Sequence, residues 1–221
     1  MITNNELCDW IRTGENDKVE DALEKTPSLV EGKTDEGISF LLYAIYSRNT
    51  RATDLIRQKR KHLDFYEAVS LGDIQLAKKY IGKQPDLINA FSTDGFTPLG
   101  LACFFDHIQL AELLIKNGAD VNTPSDNPFR VAPIHSACAI SDFNLAALLI
   151  KHGASVNVKQ ISGVTPLHSA AHNGQTKLAR LLLVNGADVN AKTDDGQTPL
   201  SMAEEKSFHE TATLIRSFDG K

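Results

Sequence analysis

The amino-acid sequence predicts an all-α solenoid of about seven helix-turn-helix units joined by short finger turns, with the second unit lacking its finger. Three observations predict this class. A segment of about 33 residues recurs in register from Asp94 onward. Each copy begins with a turn of the T-P-L type, and the end of a copy carries a glycine that is expected to end its second helix. One such unit cannot bury its own apolar face, so successive units must stack.

Each copy opens with the same helix-start signal. The apolar residue of the opening falls at Leu99, Ile134, Leu167 and Leu200. These positions are separated by 35, 33 and 33 residues (134 − 99, 167 − 134 and 200 − 167). A proline precedes each of them, and its fixed φ and missing N–H group suit the first turn of a helix. Thr97, Thr165 and Thr198 precede three of these prolines and are predicted N-caps.

The closing phrase, NGADVN or a variant of it, ends the second helix of each unit. It recurs at Asn117–Asn122, Gly153–Asn157 and Asn185–Asn190. Its glycine predicts a left-handed cap at the end of the helix. Leucines at helical spacing precede the close, as at Leu110 and Leu114, and predict the buried side of the second helix.

These segments, over residues 65–218, resemble ankyrin repeats. That family repeats a turn plus two helices at about 33 residues, with the signature T-P-L-H-x-A. TPLH is literal at Thr165–His168. Approximate forms stand at Thr97–Gly100, Ala132–His135 and Thr198–Ser201. The resemblance implies a non-enzymatic module that binds another protein through the concave surface of first helices and fingers. It also implies that His168, and His135 in the same slot, hydrogen-bond the backbone of a nearby turn.

The N-terminal part is predicted to hold two divergent units in residues 1–64, followed by five units in residues 65–221. Three residues of the first unit recur unchanged 58 positions later, which indicates a divergent repeat. The pairs are Gly14 and Gly72, Pro27 and Pro85, and Gly37 and Gly95 (72 − 14, 85 − 27 and 95 − 37). Polar residues on the first and last units are typical of solenoid caps, so a monomer is expected.

The second unit is predicted to be short. Its opening residue Leu41 and the next opening residue Phe65 are only 24 residues apart (65 − 41), about ten fewer than in the neighbouring units. The missing segment is the finger, and the basic run RQKRKH, Arg57 to His62, stands in its place. This run is expected to rim a notch between residues 1–56 and 65–218. Arg48 occupies the position of the glycine between the two helices of the unit.

Composition excludes several classes of protein. The chain has 221 residues, 42% of them hydrophobic, and a net charge of −5, which argues against general binding to nucleic-acid phosphates. No apolar run reaches the roughly 18 residues of a membrane span, and the N-terminus lacks the pattern of a secretory signal. Three distant cysteines do not form a disulfide scaffold, so a cytoplasmic location is expected.

No catalytic, cofactor or metal site is predicted. The sequence lacks a glycine-rich phosphate loop, a G-x-S-x-G elbow and an H-E-x-x-H motif. His168 and His172 have the i, i+4 spacing of metal ligands on a helix, but the TPLH slot of His168 favours a structural role. Cys103 and Cys138 occupy equivalent positions in neighbouring units and are predicted to be small buried residues.

Helix phase predicts a partner-binding stripe that is apolar and aromatic in the middle units and polar towards the C-terminus. Its predicted members are Tyr43, Tyr46, Leu71, Leu101, Phe104, Phe105, Ile140, His172 and Asn173. Phe129 and Arg130 join them from the finger, where an Asp-Gly pair is expected. Exposed aromatic residues are common anchors of protein interfaces. Packing of Phe104 and Phe105 against a neighbouring finger is the alternative that the sequence leaves open.

Two other functional hypotheses remain from the sequence. Arg57 to His62 form a basic patch that would bind nucleic acid or a phosphorylated partner. A structural repeat protein without a tight partner is the other. Regulation or inhibition of the bound partner is a further hypothesis from the family resemblance.

Overall fold

The computed structural model describes residues 2–219, in which fourteen α-helices form seven consecutive pairs. The pairs are α1 (Asn4–Thr13) with α2 (Asn16–Lys25), α3 (Phe40–Tyr46) with α4 (Thr50–Lys59), α5 (Phe65–Ser70) with α6 (Ile74–Lys83), α7 (Pro98–Phe104) with α8 (Ile108–Lys116), α9 (Pro133–Ala139) with α10 (Phe143–Lys151), α11 (Pro166–His172) with α12 (Thr176–Val184), and α13 (Pro199–Glu205) with α14 (His209–Asp219). Short 3₁₀ turns cover Pro27–Glu31, Pro85–Asn89 and Ile161–Gly163. The predicted all-α repeat architecture of about seven units is confirmed.

The chain forms two compact units, one ending at Tyr80 and the other beginning at Ile81, inside α6. The predicted division into residues 1–64 and 65–221 lies earlier in the chain and stays a prediction. In the first unit, α1 packs on α2 and α3, and α3 packs on α4 and α5. Its core includes Leu7, Ile11, Phe40 and Ile56, all fully buried.

In the second unit, like helices stack on like helices. The first helices pack in the order α7, α9, α11 and α13, and the second helices in the order α8, α10, α12 and α14. Each of these first helices has proline in its first turn, and Thr97 Oγ1 accepts the Gly100 N–H at 3.0 Å as predicted for an N-cap. Leu99, Ile134 and Leu167 are buried between the layers.

The turn between the two helices of every pair contains one residue in the left-handed region. These residues are Gly14, Arg48, Gly72, Asp106, Ser141, Gly174 and Ser207, with φ between 52° and 79°. Arg48 therefore takes the glycine conformation that the sequence comparison expected at its position. Four of the seven turns adopt this backbone without glycine, although left-handed φ costs most other residues about 1–2 kcal/mol.

Two of the asparagines that end closing phrases, Asn122 and Asn157, join neighbouring loops in the second unit. Asn122 Nδ2 donates to the Gly153 carbonyl at 3.0 Å, and its Oδ1 accepts the Ser155 N–H at 2.8 Å. Asn157 makes the same two bonds to Gly186 and Asp188, at 2.9 and 2.8 Å. Each asparagine thus satisfies a helix-ending carbonyl and a loop N–H of the next repeat.

The second pair lacks a finger, as the spacing predicted. Helix α4 ends at Lys59 and α5 begins at Phe65, with no 3₁₀ turn or hairpin between them. By contrast, the first pair has both, including an isolated antiparallel bridge between Lys33 and Ser39. Asp64 caps α5 by accepting the Glu67 N–H at 2.8 Å, and the Glu67 carboxylate accepts the Asp64 N–H at 2.9 Å.

Arg60, within the basic run that was predicted to rim a notch, is buried near the connection that lacks a finger. Its side chain is only 8% exposed. It donates to the Val30 carbonyl at 3.2 Å, and Nη2 lies 2.9 Å from Oε1 of Glu67, whose side chain is 1% exposed. Arg57, Lys59, Lys61 and His62 are exposed. The basic run is therefore divided between four exposed side chains and one buried ion pair, and the notch stays a prediction.

Candidate functional site

The first helices α7, α9, α11 and α13, with the fingers that precede them, form one face of the second unit, called here the inner face. A chain of aromatic rings runs along α7 on this face. Phe96 and Phe104 have ring centroids 6.1 Å apart, Phe104 and Phe105 meet edge to face at 5.0 Å, and Phe105 lies 6.4 Å from the His107 ring. Phe104 is nevertheless 40% exposed. It packs on the base of its own finger and still presents aromatic surface.

Two carboxylates lie at the end of this aromatic chain. Asp106 is in the left-handed turn after α7, and the carboxyl group of Asp142, in the turn after α9, is its neighbour. Asp142 caps α10 by accepting the N–H groups of Asn144 and Leu145 at 2.7 and 3.1 Å. Partial desolvation and the neighbouring Asp142 raise the pKa of Asp106, while the His107 ring opposes this shift.

The fingers of the second unit are joined to one another through their backbones. The Asp126 N–H donates to the Gly95 carbonyl at 2.7 Å, and the Ile161 N–H donates to the Phe129 carbonyl at 3.0 Å. Phe129 is 58% exposed and Ile161 is 47% exposed. Arg130, with φ 50°, adopts the left-handed conformation of the glycine expected there.

Ile161 was not among the residues predicted for the binding surface, because it lies one repeat after the unusual finger. The register of Phe129 against the next finger could have indicated it.

A cleft of about 410 Å³ opens on the inner face near the C-terminal end. It is lined by Ala139, Val164, His168, Ser169, His172, Asn173 and Met202. His172 and Asn173 are exposed at its edge, as their predicted surface role requires, whereas His168 is buried. The cleft has mixed apolar and polar walls and is open to solvent, so it is suited to a side chain of a docking protein.

The buried histidines have structural partners. His168 Nδ1 lies 3.2 Å from the Thr165 N–H group, and Nε2 lies 3.1 Å from the Gln197 carbonyl. His135 makes the equivalent contacts to Ala132 and to the Val158 carbonyl. Both nitrogens of His168 are engaged, so no lone pair is left for a metal ion. Burial lowers the pKa of both histidines, that of His135 to about 4.

One predicted anchor is wrong. Leu101 is fully buried, because this position of α7 faces the neighbouring first helix and not solvent. Ile140 is half-buried on the inner face, and in the first compact unit Tyr43, Tyr46 and Leu71 are half-buried as well.

Cys103 and Cys138 are buried free thiols, as predicted. Burial raises the pKa of both, that of Cys138 to about 12. Among the helices of residues 2–219, none combines the length and apolar character needed to cross a membrane.

Two family profiles match the chain. The one described as "Ankyrin repeats (3 copies)" matches residues 65–160, and "Ankyrin repeats (many copies)" matches residues 149–203. Together they extend over residues 65–203, more than half of the 221 residues. The region matched begins at α5 and ends in α13, and so includes the inner face.

Similar proteins share only a segment with this chain. A stretch of 65 residues, 29% of the chain, is 32% identical to Ankyrin repeat and SAM domain-containing protein 6 of Mus musculus, and the Rattus norvegicus protein matches equally. A stretch of 64 residues is 38% identical to the Acyl-CoA-binding domain-containing protein 6 homolog of Dictyostelium discoideum. These matches span 7% of the rodent proteins and 22% of the Dictyostelium protein. With its paired helices, its recurring TPLH turns and both profile matches, the chain belongs to the ankyrin-repeat family.

Proposed function

We propose that this protein is a binding module whose partner protein docks on the inner face of the second unit. Ankyrin repeats generally mediate protein–protein interactions. The observation that carries the assignment to this face is the exposed aromatic surface of Phe104, backed by Phe96 and Phe105. Phe129 and Ile161 add apolar surface on the fingers. Aromatic side chains on a supported scaffold are the usual anchors of interfaces.

The mechanism is docking on a preorganised surface. The fingers are fixed by backbone hydrogen bonds to one another, and the loops behind them are fixed by the asparagine bridges. Little conformational entropy is therefore lost from this side of the interface when a partner binds. Regulation or inhibition of the partner would follow where the docked surface overlaps its own active or assembly surface.

Substitution of the aromatic anchors tests this proposal. Phe104→Asp combined with Phe105→Asp places two charges in the apolar contact, and we expect loss of partner binding with folding retained. Affinity capture from native lysate identifies partners of the wild-type chain by mass spectrometry, and titration of the purified partner then compares the variants.

Phe143→Asp is the matched control, because Phe143 is 44% exposed on the second helix α10, away from the inner face. A double variant that is folded by circular dichroism and binds its partner like wild type would contradict the proposal. Unfolding of the double variant would assign the two rings to the core, and Phe129→Asp, at 58% exposure on a finger, then tests the same face without that risk.

A further inference from the structure

We propose that α7 and the turn after it bind a basic segment of the partner protein. An apolar side chain of this segment lies over Phe104, and a lysine or arginine contacts the Asp106–Asp142 pair. This inference rests on the proposed function and specifies the chemistry of its partner. It combines two neighbouring features of the second unit: an exposed aromatic surface and a carboxylate pair that no lysine or arginine of residues 2–219 contacts.

The aromatic part accepts an apolar or aromatic side chain. The Phe104 ring is supported edge to face by Phe105 and contacted by Phe96, so it is held in place while 40% of the residue remains accessible. Aromatic faces also attract the guanidinium group of arginine. Phe104 and Asp106 are two residues apart, which brings the apolar surface and the negative charge within the reach of neighbouring side chains on one peptide.

The acidic part lacks a lysine or arginine partner in the described part of the chain. Among residues 2–219, no lysine or arginine nitrogen lies within 4.0 Å of the Asp106 or Asp142 carboxylate. The other acidic residues at the C-terminal ends of first helices are engaged: Glu204 pairs with Arg216, and Glu205 accepts from Gln197. Asp106 and Asp142 therefore differ from these acidic residues in having a carboxylate, and no lysine, arginine or amide side chain, as their neighbour.

The pair also predicts how binding depends on pH. Asp106 faces Asp142 from the next repeat and His107 from its own turn, with the buried thiol of Cys103 behind them. An approaching cation favours the doubly ionised pair, so any proton held there is released when the partner binds. Affinity should accordingly rise with pH across the titration of Asp106.

Selection from a random 12-residue peptide library displayed on phage, against the full chain, tests the inference directly. We expect enriched peptides to carry lysine or arginine within a few positions of an aromatic or leucine residue. A selected peptide, labelled and measured by fluorescence anisotropy, should bind at least ten-fold more weakly to Asp106→Asn with Asp142→Asn. Its affinity should fall with added salt. Glu112→Gln is the control, because Glu112 is an exposed carboxylate on the second helix α8 of the same repeat.

The outcomes separate this inference from the proposed function. Peptides that lose binding with Phe104→Asp but are indifferent to the double Asp→Asn variant would overturn the basic-segment inference and leave the inner face as the docking site. Peptides indifferent to both sets of substitutions would overturn both proposals. Enrichment of acidic peptides, or of none, contradicts the inference, because a linear basic segment is what it requires.

Discussion

His135 shows how a single side chain links two repeats. Its Nδ1 accepts from the N–H group of Ala132 at 3.2 Å, and its Nε2 donates to the carbonyl of Val158, in the following loop, at 3.1 Å. This arrangement needs the neutral imidazole with the proton on Nε2. Protonation would place a charge in a site that is 1% exposed, which is why burial lowers the pKa to about 4.

The depressed pKa of His135 predicts a loss of stability in acid. Unfolded chains bind a proton at His135 below a pKa of about 6.5, whereas the folded chain binds it only near pH 4, so folding opposes protonation between these values. The stability of the wild-type chain should therefore exceed that of His135→Gln by about 3 kcal/mol more at pH 7 than at pH 4. Urea denaturation of both proteins across this range measures the difference. Parallel pH profiles would contradict the assignment.

At this scale, the success of sequence-based prediction depended on backbone geometry. Thr97 and His168 have their predicted partners because the TPLH turn fixes their surroundings. Leu101 was wrongly predicted to be exposed because helix phase alone does not show how closely neighbouring first helices pack. The equivalent residue of the third pair is Glu67, which is buried too, although a carboxylate there suggests exposure.

The element that differs most from its neighbours is the connection from α4 to α5. Its shortness was predictable from repeat spacing, but the burial of Arg60 was not, because in sequence it is one of several basic residues in RQKRKH. Without a finger to cover the N-terminal end of α5, Arg60 contacts Val30, Glu31 and Glu67 instead. Burial raises the pKa of Glu67, and Ser39, the Asp64 backbone and Arg60 counteract this shift.

Removing one partner of the Arg60–Glu67 pair should lower the free energy of unfolding, whereas replacing both partners with apolar residues should not. Arg60→Ala leaves Glu67 buried without its cation, and we expect the free energy of unfolding to fall by about 3 kcal/mol. Arg60→Leu with Glu67→Leu converts the site to the apolar type found at Leu101, and we expect a stability equal to or above that of wild type. Urea denaturation of these variants checks both expectations.

Lys59→Ala is the control for the Arg60 variants, since Lys59 is an exposed neighbour in the same basic run. An Arg60→Ala protein as stable as the Lys59→Ala protein would show that the pair contributes nothing. A strongly destabilised double leucine variant would show that the charges themselves are needed for packing.

Across the whole molecule, the features that recur in each repeat follow from local sequence, whereas the features that differ between repeats follow from tertiary contacts. The number of helix pairs and their caps could be predicted because the same signals recur along the chain. The asparagine bridges and the finger contacts of Phe129 and Ile161 could not, since each joins residues about 30 positions apart. Of the predicted partner-binding residues, Phe104 and Phe129 are exposed and Leu101 is buried, and their role in binding stays a prediction.

The asparagine bridges predict how instability spreads through the repeats. Asn157→Ala removes two hydrogen bonds to the next repeat, at Gly186 and Asp188, and should lower stability by about 1 kcal/mol. Because a repeat contacts only its neighbours, hydrogen exchange should accelerate in α9 to α14 and remain unchanged in α1 to α4. Asn185→Ala is the matched control, as its side chain donates to the Leu181 carbonyl within its own repeat. Equal exchange in both variants would show that the bridges do not couple adjacent repeats.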